Sequence, residues 1–220
     1  MDDSAEPASE ETDPDDRIVV PEDHEWTTTE RGDREYRRVQ LGRAAGSEKL
    51  GCSLYEVPPG KKAWPYHFHT GNEEALYVLA GEATLRTPEG EYTVSPGSYA
   101  AFPTGEDGAH EVRNDGDEPL RYLAISTMRD PDVMGYPDSG KVGVFAGSPP
   151  GGESDERIFS EFFYEADAVG YWEGEVEEKR ETGDAGSDAS ETGDDADEPG
   201  RDIGEKENDS GEKGEQAGER

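Results

Sequence analysis

The middle of the chain alternates apolar and polar residues with a period of two. The alternation occurs in short runs, which read "REYRRVQL", "GCSLYEV", "AWPYHFH", "EALYVLAGEATLRT", "EYTV", "SYAAFP", "AHEVRN" and "LRYLAIS". Gly, Pro, Asn or Asp bounds most of these runs. Alternation of this kind is typical of half-buried strands, and many short strands separated by turns predict an all-β sandwich or barrel.

Helical periodicity is weak throughout this region. The segment "SEFFYEADAV" is the best helical pattern, but it fits a strand or an extended arm equally well. Residues 129–160 are rich in Gly and Pro, so we predict a long loop that wraps the barrel. Within them, "GYPDSGKV" nearly matches a phosphate loop, but Val142 replaces the required hydroxyl and no helical pattern follows. We predict a turn there.

The two ends of the chain differ from the middle in composition. Residues 1–16 carry acidic and no basic side chains, and residues 173–220 are acidic with almost no large apolar residue. Such segments cannot bury enough apolar surface to offset the entropy of ordering. We therefore predict a disordered acidic N-terminal tail over 1–16, one folded domain over 17–172 and a disordered acidic C-terminal tail over 173–220.

The charge of the chain restricts its partners. The net charge is -34 and no basic patch interrupts it, which argues against nucleic acid and anionic membranes as partners. The composition is typical of proteins kept soluble at high salt, as in halophilic archaea. Cys52 is the only cysteine, so no internal disulfide forms. No secretory signal or membrane-length apolar stretch is visible, and we expect a cytoplasmic protein.

The stretch "HFHTGNEE" contains two of the four histidines. His67 and His69 are two residues apart, so their side chains leave the same face of one strand. Glu74 opens the next run and can face the same space. Imidazole and carboxylate are the usual ligands of Fe, Mn, Ni, Cu and Zn, and the sequence does not choose among these metals. His110, at the start of a predicted strand, is a better fourth ligand than His24, which lies in a polar segment.

These residues also resemble the first motif of the cupin superfamily. That motif is a glycine, then HxH, three or four residues, Glu, six residues and a second glycine. The matching positions here are Gly60, His67, His69, Glu74 and Gly81. The gap after Gly60 is one residue longer than usual. Glu73 is a rival ligand, but the six-residue spacing to Gly81 favours Glu74.

The second cupin motif follows after a short spacer. The matching positions are Gly97, Pro103, Gly105, His110 and Asn114. The segment "EDGA" makes the turn before His110 two residues longer than the family pattern, so the longer turn could displace His110. The two motifs place the resemblance over residues 50–128.

The resemblance implies a cupin double-stranded β-helix, or jelly-roll, barrel with a divalent metal held by His67, His69, Glu74 and His110. It implies a small-molecule ligand, a sugar or an organic acid. Cupins with this ligand set include dioxygenases, decarboxylases and isomerases; the alternative is a binding or regulatory module without turnover.

Strand parity adds an expectation about assembly. If the histidines face the barrel interior, Tyr66 and Phe68 face outwards, while Leu76 and Val78 face inwards with Glu74. An apolar outer face must be covered, and cupins often cover it by dimerising. We therefore expect a homodimer.

Overall fold

A computed structural model describes residues 17–175. The predicted tail 1–16 and residues 176–220 of the predicted C-terminal tail lie outside the described residues. The described part contains thirteen strands and one short helix, α1 (Leu41–Ala44). The strands are β1 (Thr27–Arg31), β2 (Arg34–Gln40), β3 (Leu50–Val57), β4 (Phe68–His69), β5 (Glu74–Ala80), β6 (Ala83–Thr87), β7 (Gly90–Val94), β8 (Tyr99–Phe102), β9 (Glu111–Arg113), β10 (Leu120–Thr127), β11 (Asp132–Tyr136), β12 (Lys141–Ala146) and β13 (Phe159–Tyr164).

The strands form three antiparallel groups. A six-stranded sheet has the order β1-β2-β3-β10-β5-β8, and a three-stranded sheet has the order β7-β6-β9. One apolar cluster joins these two, with Tyr55 and Leu76 from the larger sheet and Leu85 and Val112 from the smaller one. A four-stranded sheet, β13-β12-β11-β4, continues from the histidine strand. The all-β prediction is confirmed.

Most predicted runs form the strands that their alternation indicates. Leu76 and Val78 are buried in the core, as their parity with Glu74 predicts. The run "AWPYHFH" is the exception, because only Phe68–His69 forms a strand and His67 makes an isolated bridge. Pro65, which lacks an amide proton, and the bends at Trp64 and Tyr66 leave little regular pairing.

The prediction of a loop over residues 129–160 is wrong. The segment contains β11 and β12, which form a hairpin, and "GYPDSGKV" supplies its turn as predicted. The prediction fails because it treats Gly135 and Gly143 as loop residues, whereas they lie inside β11 and β12. A Cβ at Gly135 would collide with the ring of Phe68, and a Cβ at Gly143 would lie 2.8 Å from the ring of Phe162. These glycines make room for aromatic rings instead of marking turns.

The segment "SEFFYEADAV" is a strand rather than a helix. Residues Phe159–Tyr164 pair with β12 as an edge strand, and only Glu165–Asp167 form a single 3-10 turn. All six residues of this strand are exposed. The aromatic spacing therefore reflects strand pairing at a sheet edge, not one face of a helix.

The outward-facing aromatic residues are covered within the chain. Tyr66 is buried, and the guanidinium carbon of Arg86 lies 3.9 Å from the centre of its ring. Phe68 packs across Gly135 of the neighbouring strand. Covering these two residues therefore does not require a second copy of the chain.

Asn114 ties the end of β3 to the loop that follows β9. Its Nδ2 donates to the carbonyls of Val57 (2.8 Å) and Glu118 (2.9 Å), and its Oδ1 accepts from the amide of Gly116 (3.0 Å). The side chain is fully buried. A buried amide with all of these partners fixes the loop geometry, which accounts for this position in the second motif.

We expect Asn114→Ala to lower the free energy of unfolding by roughly 2 to 4 kcal/mol, because a buried carbonyl, a partly buried carbonyl and one amide lose their partner. Chemical denaturation monitored by fluorescence measures this change. Ser139→Ala, in the exposed hairpin turn, is the control and should leave stability unchanged. A stability of Asn114→Ala equal to that of the control would contradict this role.

Candidate metal centre

The backbone brings three histidines to one place inside the barrel. His67 and His110 form a bridge in which each amide donates to the carbonyl of the other, at 3.2 and 2.9 Å. His69 lies in β4 beside Met134 of β11. Glu74 opens β5 between β8 and β10. Residues 67–74 and the distant His110 therefore point at one space.

The side chains meet at a single carboxylate oxygen. Oε2 of Glu74 lies 3.3 Å from Nε2 of His69, 3.5 Å from Nε2 of His110 and 3.9 Å from Nε2 of His67. His67, His69 and Glu74 each offer a ligand atom within 4.8 Å of the others. All three histidines are buried. The cluster is compact enough to hold a single ion.

Each imidazole is oriented by an acceptor at its other nitrogen. Nδ1 of His67 lies 2.7 Å from the carbonyl of Pro65, and Nδ1 of His110 lies 2.9 Å from the carbonyl of Gly108. Nδ1 of His69 lies 2.5 Å from Oδ2 of Asp132. Because these acceptors require the proton on Nδ1, a neutral ring keeps its lone pair on Nε2. All three lone pairs then face the Glu74 carboxylate.

Burial and the contacts among the clustered residues shift the pKa values of His67, His69, Glu74 and His110. Burial, followed by the charge of His110, lowers the pKa of His67 to about 3, and burial also lowers the pKa of His110. Burial acts against the charged form of His69 too, but hydrogen bonds to Asp132 and Glu74 outweigh it and raise the pKa to about 9. Burial likewise acts to raise the pKa of Glu74, but the histidines lower it to about 2. When no metal is bound, a proton on His69 is therefore the cation of the cluster.

The donor set fits a divalent metal ion. Three imidazole nitrogens and one carboxylate oxygen face one another, and none of the three Nδ1 protons is directed into this space. A cation offsets the repulsion between these lone pairs, whereas a neutral ligand does not. The hydrogen bond from His69 to Asp132 is also the type of contact that orients metal-bound histidines.

A large cavity opens from this cluster. It measures about 890 Å³ and reaches the three histidines, Trp64 and Tyr136. The ring of Tyr136 stacks on His67 with centroids 6.1 Å apart, and Phe102 stacks on His110 at 3.7 Å. The volume is typical of small-molecule sites, and aromatic walls of this kind suit them.

The structure brings together all four of the residues selected from the sequence. Glu73 is exposed, so Glu74 is the carboxylate at the cluster. His24 lies at the end of the Pro21–Asp23 turn, outside the cluster. The longer turn before His110 does not displace it, because the extra residues form a 3-10 turn at Glu106–Gly108.

Asp132 is the residue at this centre that the sequence did not reveal. It is almost completely buried, and its second oxygen accepts from the amide of Gly71 at 3.0 Å. It lies in the segment that we predicted as a loop, in a chain with many acidic residues. The only available signal was an acidic residue directly before the apolar strand "VMGY".

The family comparison agrees with this geometry. Residues 53–126 match the family model of the cupin domain. This span contains all four clustered residues. A comparison with curated proteins finds no match.

Two solved structures resemble this chain over most of their length. A candidate sugar phosphate isomerase from Acidithiobacillus ferrooxidans is 28% identical, with a TM-score of 0.61, and the match covers 71% of this chain and 97% of that one. A cupin-superfamily sugar phosphate isomerase from Silicibacter pomeroyi is 25% identical, with a TM-score of 0.53, and the match covers 60% and 78%. The described part of the chain therefore has the jelly-roll fold of the cupins. Among residues 17–175, no helix combines the length and apolar character needed to cross a membrane.

We expect the metal-depleted protein to lose stability as the pH rises from about 6.5 to 9. The folded pKa of His69, about 9, lies above the ordinary 6.5, so its contribution is complete below 6.5 and is lost as the pH passes 9. The lowered pKa values of His67 and His110 oppose this loss only near pH 6.5, because above that pH both rings become neutral in the unfolded state as well. Thermal unfolding in a chelator-treated sample at several pH values measures the effect. A midpoint that stays constant or rises over this range would contradict it.

Proposed function

We propose that this chain binds a divalent metal ion through His67, His69, Glu74 and His110 and acts on, or binds, a small molecule beside that ion. The observation that carries this proposal is the convergence of three Nε2 atoms on one Glu74 oxygen while each Nδ1 faces an acceptor. A divalent ion at this place supplies a Lewis acid or a redox centre. Iron, manganese, nickel, copper and zinc all suit the donor set.

The small molecule of this proposal is a sugar or an organic acid. Two similar solved structures are described as sugar phosphate isomerases, which supports the sugar. The cavity beside the cluster has the volume for such a ligand. An isomerase would need groups that hold the substrate while a proton moves, and Tyr136 and Trp64 lie at the cavity wall for such contacts.

A homodimer remains part of the proposal, with a different surface from the one first expected. Because Tyr66 and Phe68 are covered within the chain, the exposed aromatic residues of β5, β8 and β13 are the better interface; they are Tyr77, Tyr99, Phe159, Phe162, Phe163 and Tyr164. Three further expectations also remain predictions: a location in the cytoplasm, adaptation to high salt, and partners that include neither nucleic acid nor membranes.

We expect His67→Ala to abolish stoichiometric metal binding. Wild-type protein, equilibrated with each candidate ion and desalted at high salt, should retain about one ion per chain. High salt matters because the many exposed carboxylates bind ions weakly. His24→Ala removes a histidine outside the cluster and is the matched control. If elemental analysis showed the same metal content per chain in the wild type, His24→Ala and His67→Ala, the proposal would be contradicted.

Asp132→Asn should weaken metal binding by about 10- to 100-fold without removing a ligand, because the amide holds the His69 ring less firmly and makes it less basic. Competition with a chromophoric chelator measures this affinity. Asp117→Asn, at an exposed loop position, is the control. Unchanged affinity in Asp132→Asn, with the fold intact, would show that the buried carboxylate does not position the ligand.

A further inference from the structure

Two arginines line the same cavity as the histidine cluster. Arg38 lies on β2, and Arg157 follows the 3-10 turn Ser154–Glu156. Both are half-buried. The cavity therefore reaches from the cluster to two guanidinium groups, each contributed by a different part of the chain.

These two arginines differ from the other half-buried arginines in their partners. Arg34, Arg86, Arg113 and Arg121 each form a salt bridge with a carboxylate. Within residues 17–175, Arg38 and Arg157 form none. In a chain with 55 acidic residues, two half-buried arginines without a carboxylate are unexpected.

Neutral groups hold both guanidinium groups in place. Nη1 of Arg38 donates to the hydroxyl of Tyr55 at 3.2 Å. Nε and Nη2 of Arg157 donate to the carbonyls of Ser148 (3.2 Å) and Pro149 (3.0 Å), and its guanidinium lies 5.2 Å from the ring centre of Phe145. These contacts fix position without neutralising charge, so donors remain on each group for a further acceptor.

The two arginines belong to adjoining parts of the cavity wall. Gln40, two residues after Arg38 on β2, donates through Nε2 to the carbonyl of Gly151 at 2.6 Å, and Arg157 donates to the carbonyl of Pro149 in the same loop. In agreement with this geometry, burial and then the positive charge of Arg38 lower the pKa of Arg157. An anionic ligand would offset the unfavourable effect of one positive charge on the other.

The carboxylates that line the cavity do not pair with these two arginines. Glu48, Asp130, Glu153 and Glu156 line it, and within residues 17–175 none of them forms a salt bridge with Arg38 or Arg157. Glu153 is paired with Arg43, and Glu111, which also lines the cavity, is paired with Arg34. The acidic surface elsewhere repels small anions, so a local arginine pair is what an anionic ligand would need in order to enter.

We propose that Arg38 and Arg157 form an anion-binding subsite that holds the carboxylate or phosphate group of the small molecule whose remainder lies at the histidine cluster. Its role in a substrate site rests on the proposed metal centre. Guanidinium groups bind both anions through paired, charge-assisted hydrogen bonds, which explains the use of arginine rather than lysine. A neutral sugar would gain nothing from this pair.

The test uses the full-length, metal-loaded chain and three probes of similar size: D-glucose 6-phosphate, D-gluconate and D-glucose. Calorimetry should show that at least one of the two anions binds more tightly than glucose. Arg38→Gln should weaken the binding of that anion by about tenfold or more and leave the binding of glucose unaffected. The preferred anion identifies the phosphate or the carboxylate as the group recognised.

Two further variants control this result. Arg31→Gln removes the same charge from an exposed residue outside the cavity and should bind the anion as wild type does. Arg157→Lys keeps the charge but loses the planar fork, and is safer than Arg157→Gln because Arg157 also holds two backbone carbonyls. Arg157→Lys should weaken binding of the anion, while its thermal unfolding midpoint stays close to that of the wild type.

Metal content, measured for every variant, separates the two proposals. Loss of anion affinity with unchanged metal supports the subsite. Equal anion affinity in wild type, Arg38→Gln and Arg157→Lys overturns it and leaves the metal centre standing, as does a wild type that prefers neither anion to glucose. If the wild type takes up no metal but binds the anion through Arg38, the metal proposal fails and the anion site survives.

Discussion

The repulsion between lone pairs at the histidine cluster is the constraint on which the rest of the structure depends. Three imidazole nitrogens face one carboxylate oxygen, at 3.3 to 3.9 Å, inside a buried space. Burial lowers the pKa of His67 and of His110, whereas at His69 the hydrogen bonds to Asp132 and Glu74 outweigh burial and raise the pKa, so His69 carries the proton when no metal is bound. A divalent ion satisfies all four groups at once.

The surrounding fold keeps this arrangement from relaxing. The carbonyls of Pro65 and Gly108 and the carboxylate of Asp132 hold the three Nδ1 atoms, so the rings cannot rotate to separate their lone pairs. The β4–β11 pairing brings Asp132 to His69, and that pairing depends on Gly135 accommodating the Phe68 ring. A hairpin in a Gly-rich segment thus supports the chemistry of a distant strand.

The sequence predicted the barrel and the four clustered residues because both depend on short-range regularities. Strand alternation placed Leu76 and Val78 inside, and the spacing to Gly81 selected Glu74 over Glu73. Gly81 has a φ of 78°, and a Cβ there would lie 2.7 Å from the carbonyl of Pro119. The backbone therefore requires a glycine at this position of the motif. Asp132 and the hairpin were missed because contacts across more than sixty residues, and glycines under aromatic rings, leave no local pattern.

X-ray absorption spectroscopy of the metal-loaded protein at high salt tests the central claim most directly. Stoichiometry alone is weak evidence in so acidic a chain, whereas absorption fine structure recognises bound imidazole rings by multiple scattering from their outer atoms. The account predicts a shell that contains three imidazole rings and one carboxylate, and loses one ring in His67→Ala. A shell made of oxygen alone, unchanged in that variant, would contradict it.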